Sequence, residues 1–315
     1  MIVSRRAFVG SVAAAAAVRV VGAQEPSLWK APVLDGHLHL RREVAANLTH
    51  MDGCGVTKAV ILARDTAADQ INEARKQSPA RLVWAASTDI TTPGSEARLT
   101  EAVKKGALGF AEMKFRVAAD SPEFQRIYAL AGELGVPIMI HFQEVPHFEG
   151  EGVFATGFKQ FEAMLKKYPK TRFVGHADAF WANVDARYAN EAAYPAGPIT
   201  RGGITDKLLG DYANLFGDLS ANSGNNALSR DPQFTPDFLR RHQDKLMFGS
   251  DCSCADGKGN GVSQANNPAA ARLAGKCVAR ETLTVLQSSA SPEVFKKLVW
   301  ENGHRVYGIQ TREKG

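Results

Sequence analysis

Hydrophobic residues along the chain gather in short unbroken runs, separated by stretches in which apolar positions recur at helical spacing. The runs lie at 33–40, 58–64, 82–88, 107–115, 136–141, 172–176, 215–220 and 245–251. Short continuous apolar runs are expected of parallel strands buried on both faces. Between them, Ser121-Pro122-Glu123 is a cap followed by proline in the first turn. Phe124, Ile127, Leu130, Ala131 and Leu134 then follow at helical spacing up to Gly135. Thr92-Pro93 opens another helix with Gly106 just past its end, and Ser291-Pro292 opens a last one running to Gly303. Phe154, Phe158, Phe161, Leu165 and Tyr168 form an aromatic-rich stripe expected to pack a further helix onto the sheet. Eight strands in strict alternation with helices predict an α/β fold of one domain, a (β/α)8 TIM barrel. The connection from Asp178 to Leu208, rich in Gly, Pro, Asn and Tyr, is expected to form a lid or substrate wall.

Polar residues interrupt this pattern mainly at the C-terminal ends of the runs. The first run ends Asp35-Gly36-His37-Leu38-His39-Leu40. Strand alternation predicts that Asp35, His37 and His39 share one side, with Leu34, Leu38 and Leu40 on the other. Two neighbouring imidazoles are costly to bury alone, and a shared divalent cation removes that cost. An isolated His-x-His is more often a pair of core histidines bonded to backbone. The other runs argue against that reading here: His141 and His176 end the fifth and sixth, Asp251 ends the eighth, and Glu112 and Lys114 lie near the end of the fourth. In a barrel these ends converge on one mouth, where barrel active sites lie. Glu112, Lys114 and Phe110 are expected on one side of their strand, so Glu112 or Lys114 could enter the site, or the two could pair with each other or with Arg116.

These features resemble the amidohydrolase superfamily, and within it the amidohydrolase-related branch of metal-dependent hydrolases, lactonases and decarboxylases. The resemblance covers residues 33 to about 308. It rests on Asp-x-His-x-His, a histidine after strands five and six, Gly-Ser-Asp at strand eight, and the closing Trp300 to Gly308. It implies that His37, His39, His141 and Asp251 ligate metal, with Glu112 as a further candidate. His176 either ligates a second ion or polarises substrate, and Asp251 also accepts the proton of metal-activated water. One divalent ion, zinc before manganese, is favoured over two, with Glu112 then an orienting group. Arg64, Lys114, Trp181, Arg201 and Asn222 are candidate substrate contacts. The implied function is hydrolysis of an amide, lactone or ester carbonyl in a small molecule. The alternatives are a decarboxylase of the same branch and a non-catalytic binding protein.

Composition changes this picture little until the N-terminus is reached. The chain of 315 residues carries 38 Lys and Arg against 33 Asp and Glu. Arg5-Arg6-x-Phe8, the Ala-rich run 11–18 and Val21-Gly22-Ala23 read as a twin-arginine-type signal peptide over residues 1–23, with the barrel domain over 24–315. Export by the twin-arginine machinery to a periplasmic or secreted location is the expectation, with no membrane anchor on the mature form. Removing the leader takes away three arginines and leaves 35 cations against 33 anions, which gives no reason to expect nucleic-acid binding. A homo-oligomer is compatible with the sequence. The four cysteines, Cys54, Cys252, Cys254 and Cys277, could pair in an oxidising compartment. Cys252 and Cys254 lie too close to bond each other comfortably, and Cys254 with Cys277 is the conceivable disulfide. No phosphate-binding glycine loop follows a strand.

Overall fold

The computed structural model describes residues 28–261 and 272–310. Residues 1–23, with Arg5 and Arg6, lie outside the described residues, so the expected signal peptide falls there. Eight parallel strands follow one another in chain order around the sheet: β1 Leu34–His39, β2 Lys58–Arg64, β3 Leu82–Ser87, β4 Phe110–Met113, β5 Pro137–His141, β6 Arg172–His176, β7 Leu215–Asp218 and β8 Leu246–Met247. The end of β8 returns to β1 through bonds from Gly36 N to Phe248 O at 3.0 Å and from Asp251 N to His37 O at 2.7 Å. The result is a nearly closed (β/α)8 barrel, as the alternating runs predict. No helix among the described residues is long and apolar enough to cross a membrane.

The strand pleat sorts the core into two layers. Leu34, Val60, Leu62, Ala85, Ala111, Met139, Val174, Phe216 and Met247 fill the interior, with Val306 and Tyr307 among them. Leu38, Ile61, Trp84, Phe110, Ile138, Ile140 and Phe173 face the helices. Tyr128, Phe142, Phe158, Phe161 and Phe173 interlock in that outer layer with ring centroids between 4.8 and 6.3 Å. Truncating one such buried ring to alanine costs about 3–5 kcal/mol.

Two slips in the pleat decide what reaches the mouth. Leu34 packs in the interior layer but Leu38 in the outer one, and the β1–β2 register shifts between Asp35 and Leu38. Simple alternation therefore fails at Gly36. Asp35 serves the backbone instead, accepting from His37 N at 3.0 Å and Ser250 N at 2.8 Å, which ties β1 to the chain after β8. A second shift lies between Phe110 and Met113 on β4. Phe110 thus packs outward while Glu112 reaches the mouth, contrary to the expectation that they share a side.

The helix Pro122–Leu134 forms as its signals predict: Ser121 Oγ accepts from Phe124 N at 3.3 Å, and Gly135 adopts a left-handed φ of 65°. The helix predicted from Thr92-Pro93 starts at Ser95 and ends at Lys104. The stripe from Phe154 to Tyr168 is only partly helical: a 3-10 turn covers Phe158–Gln160, a helix Glu162–Lys167, and Phe154 lies outside both. The last helical stretch runs past Gly303 to Tyr307, with Gly308 as its left-handed cap. The long connection after β6 opens with a short helix, Asp178–Ala182, whose Phe180 ring packs against Gly175. A Cβ on Gly175 of β6 would sit 2.1 Å from that ring, so only glycine permits the contact.

Candidate metal centre

At the mouth, β1 presents His37 and His39 with their Nε2 atoms 3.2 Å apart. Asp251 Oδ1 lies 3.4 Å from His39 Nε2 and 3.8 Å from His37 Nε2, and Glu112 Oε2 lies 3.5 Å from His39 Nε2. The other oxygen of Glu112 faces the opposite side, where it contacts His141 Nδ1 closely and stands 3.3 Å from His176 Nε2. Glu112 therefore lies between two donor sets. His37, His39 and Asp251 form the first; His141 and His176 form the second.

The outer edge of each ring explains why the inner nitrogens face one another. Asp218, at the end of β7 and completely buried, places Oδ2 at 2.7 Å from His37 Nδ1 and 3.1 Å from His176 Nδ1. Ser220 Oγ donates to the same oxygen at 2.5 Å. With both Nδ1–H groups donating to Asp218, the Nε2 lone pairs of His37 and His176 point inward. His141 is held the other way round: its Nε2 lies 2.9 Å from Gln143 Oε1, so Nε2–H donates there and Nδ1 faces Glu112. Fixing the tautomer through the outer nitrogen is how proteins prepare imidazoles for metal ligation.

Gly249 completes the support. A Cβ there would come within 2.3 Å of Asp218 Oδ1 and 2.7 Å of the His37 Cβ, so the glycine of Gly-Ser-Asp makes room for the Asp218–His37 pair.

Burial and neighbouring charges pull these groups in opposite directions. Burial pushes the Glu112 carboxyl up, but the charge of His141 and hydrogen bonds from His141, His176 and His39 outweigh it, holding Glu112 well below the ordinary carboxylate range. Burial likewise raises Asp218, and His37 and His176 more than reverse that. Burial lowers His176, yet Asp218 and Glu112 carry it to about 10; His39, similarly opposed by burial, is carried to about 9 by Glu112 and Asp251. His141 is lowered, because burial outweighs Glu112 there.

A divalent cation fits the same place. With ligands at about 2.0–2.1 Å, a tetrahedral site has edges of about 3.3–3.4 Å. The contacts of 3.2, 3.4, 3.5 and 3.8 Å among His37, His39, Asp251 and Glu112 bracket that value.

A cavity of about 690 Å³ opens over this centre, lined by His141, His176 and Asp251 and by Lys114, Asn222 and Tyr194. His147 Nε2 bonds Asp178 Oδ1 at 2.7 Å, and its ring stacks on Tyr194 with centroids 5.8 Å apart. Lys114 does not enter the donor cluster; its Nζ lies 5.3 Å from the Phe154 ring on the cavity wall. Arg64 is exposed and lines a separate cleft with His39 and Glu112. Two expected substrate contacts are elsewhere. Trp181 is fully buried and donates from Nε1 to Asp218 O at 2.8 Å, so it props the floor of the site rather than its wall. Arg201 pairs with Asp237 over the ring of Phe234 and does not line the cavity. Asp218, Ser220 and Tyr194 were not anticipated. For the first two the available signal was Gly-Asp-Leu-Ser at the end of β7, whose polar residues are spaced for one strand face.

A barrel whose strand ends gather four histidines and three carboxylates at one mouth is an enzyme scaffold of the metal-dependent class. The family model described as Amidohydrolase matches residues 40–309, and the chain belongs to that family. No curated protein matches the chain in sequence. Solved structures similar in fold include 5-carboxyvanillate decarboxylase from Sphingomonas paucimobilis, at 10% identity and TM-score 0.54, covering 89% of this chain and 99% of that one. A dihydroxybenzoic acid decarboxylase from Polaromonas sp. JS666, with bound manganese and the inhibitor 2-nitroresorcinol, matches at 14% identity and TM-score 0.52, covering 89% and 97%. A probable 2-pyrone-4,6-dicarboxylic acid hydrolase from Acinetobacter baumannii, with citric acid bound, matches at 14% identity and TM-score 0.53, covering 88% and 99%.

Proposed function

We propose that this enzyme is a metal-dependent hydrolase of a small-molecule amide, lactone or ester, and that its mouth holds two divalent cations rather than one. The supporting observation is Glu112, whose two oxygens face different donor sets. His37, His39 and Asp251 would hold one ion, His141 and His176 the other, with Glu112 serving both. The single-ion expectation, in which Glu112 only orients a neighbour, is the alternative to it. Zinc suits the imidazole-rich donors, and manganese suits the carboxylates.

Bound there, a divalent cation would supply polarisation of a carbonyl and a water acidic enough to react near neutral pH. The residues supply the rest. Asp251, 29% exposed in its side chain, faces both the centre and the cavity and is placed to take a proton from attacking water and return it to the leaving group. Asp218 and Ser220 keep His176 Nε2 directed inward throughout. Lys114 and the His147–Asp178 pair, on the cavity wall, would meet the polar groups of the substrate.

The second reading is decarboxylation, supported by the similarity to the two decarboxylases. There, no water attacks, and His176 or Asp251 delivers a proton to carbon. Metal-replete protein assayed against lactones, esters, amides and aromatic carboxylic acids separates the two. Carbonyl hydrolysis without carbon dioxide is expected; carbon dioxide release without hydrolysis would transfer the site to the lyase reading.

Export through the twin-arginine route is also part of the proposal. It rests on Arg5-Arg6 before a weakly apolar Ala-rich run. Replacing both arginines with lysine should leave the precursor in the cytoplasm, and undiminished export of that variant would point to the general secretory route.

A further inference from the structure

A second cluster of ligating side chains lies outside the mouth. Cys252 and Cys254 follow Asp251 directly, Cys277 precedes the helix Val278–Ser289, and His50 projects from the helix Val44–Cys54. All four side chains are buried, and their ligating atoms lie within 4.8 Å of one another. Cys252 Sγ is 3.4 Å from Cys254 Sγ and 3.8 Å from Cys277 Sγ, and Cys254 Sγ is 3.5 Å from His50 Nδ1. A disulfide needs about 2.05 Å between sulfurs, so these are free thiols held apart. A tetrahedron with zinc–sulfur bonds of about 2.3 Å and a zinc–nitrogen bond of about 2.0–2.1 Å has S···S edges of about 3.8 Å and N···S edges of about 3.6 Å. The three measured contacts sit close to those edges.

We propose that His50, Cys252, Cys254 and Cys277 form a structural zinc site, separate from the catalytic centre, that clamps the chain after β8 to two helices. The donor set is Cys3His, a closed set with no place for substrate. On binding, the three thiols release their protons to solvent and the imidazole binds in its neutral form, leaving a net charge of −1. Arg41 is placed to offset it: Nη2 donates to Cys252 O at 3.1 Å and to Cys254 O at 2.7 Å. His50 Nδ1 also lies 3.0 Å from Cys254 O. Ligation through Nδ1 gives up that bond, but the carbonyl keeps Arg41 as its donor. The adjacency to Asp251 gives the site its purpose, since the clamp fixes the backbone that presents this carboxylate to the mouth.

The test uses whole wild-type protein reconstituted with cobalt(II). The mouth contains no cysteine, so intense near-ultraviolet thiolate-to-cobalt charge-transfer absorption reports this cluster alone and is independent of whether the mouth holds metal or hydrolyses anything. The expected result is that band, saturating with excess cobalt at an intensity of one thiolate-bound cobalt per chain, together with four titratable thiols in zinc protein unfolded in chelator without reductant. Cys254→Ser and Cys277→Ser should each abolish or sharply weaken the band. Either reconstituted wild type showing only weak d–d absorption, or two thiols missing from the titration because of a disulfide, overturns the proposal. The wild-type measurements decide it even where a serine variant fails to fold.

Discussion

Asp218→Asn is the sharpest probe of the mouth, because one oxygen of Asp218 orients a ring from each donor set. The substitution is nearly isosteric and the position is completely buried, so the shape of the site is retained. What changes is the acceptor. Oδ2 now receives three hydrogens, from His37 Nδ1, His176 Nδ1 and Ser220 Oγ, at 2.7, 3.1 and 2.5 Å. If the amide nitrogen takes that place, it opposes all three donors. If the amide oxygen takes it, a neutral acceptor replaces a charged one and the nitrogen occupies the Oδ1 position, where no partner is found. In both cases the two imidazoles lose their bias toward the tautomer with inward lone pairs. Loss of one such orienting group weakens metal affinity about 10–100-fold. With two rings released together, the upper end applies, about 100-fold or about 2.7 kcal/mol. The assay is competition against a chromophoric chelator at constant pH, with zinc and with manganese, alongside thermal unfolding of metal-free protein to show that the fold survives. Ser220→Ala, which removes one donor and leaves both rings anchored, should weaken binding much less. A dissociation constant for Asp218→Asn within about threefold of wild type would refute the view that Asp218 sets the ligating tautomers.

Asp251→Asn should lower turnover by about 10²–10⁴-fold with the fold intact, since asparagine cannot accept a proton, and a steady-state rate near wild type would remove Asp251 from the chemistry. Glu112→Gln should reduce the metal content of replete protein by one equivalent, from three per chain (two at the mouth and one at the cysteine cluster) toward two, and cut activity strongly; two equivalents in wild type, unchanged in the variant, would restore the single-ion reading. Away from the mouth, Asp206 is held at about 2, because hydrogen bonds from His242 and Arg241 overcome the upward push of burial. A depressed carboxylate stabilises the fold above its ordinary value of 3.8 and loses that contribution as pH falls toward 2. Discounted for its partial solvation, the contribution is about 1–2 kcal/mol. Asp206→Asn should therefore be less stable at neutral pH and lose less stability than wild type between pH 4 and 2, and parallel pH–stability curves would contradict the assignment.

The barrel was legible because each buried strand writes itself as an unbroken apolar run. The residues that gather at the mouth were legible because they stand at the ends of those runs. Details that depend on the pleat slipping were not. Gly36 and the β4 irregularity between Phe110 and Met113 shift alternation by one residue, which no local pattern announces. Trp181 was misplaced because nothing in the local sequence announces that its Nε1 reaches down to Asp218 O, 37 positions away, while Asp178 one turn earlier lines the cavity. Asp218 escaped notice because a single aspartate at a strand end is ordinary until the two rings it serves are known, and those lie 181 and 42 positions away in sequence. The partnership of His50 with the cysteines is hidden by the same kind of distance, over 200 residues of chain.

The packing of Phe180 onto Gly175 bears on how this enzyme could change over evolutionary time. That side of the mouth, with Trp181 beneath Asp218, has no slack: a single added methyl on Gly175 would collide with a ring and displace the backbone of His176 and Asp178 together. The opposite rim is built differently. Phe148 is 57% exposed, and Glu149 and Tyr194 come from irregular segments rather than from strands. Side chains there can be exchanged without touching the donor sets or the aspartate that anchors them. Descendants of this sequence should therefore acquire new substrates by exchanging residues such as Phe148, Glu149 and Tyr194, and should keep the β6–β7 wall because almost every change to it would damage the chemistry before it altered the choice of substrate.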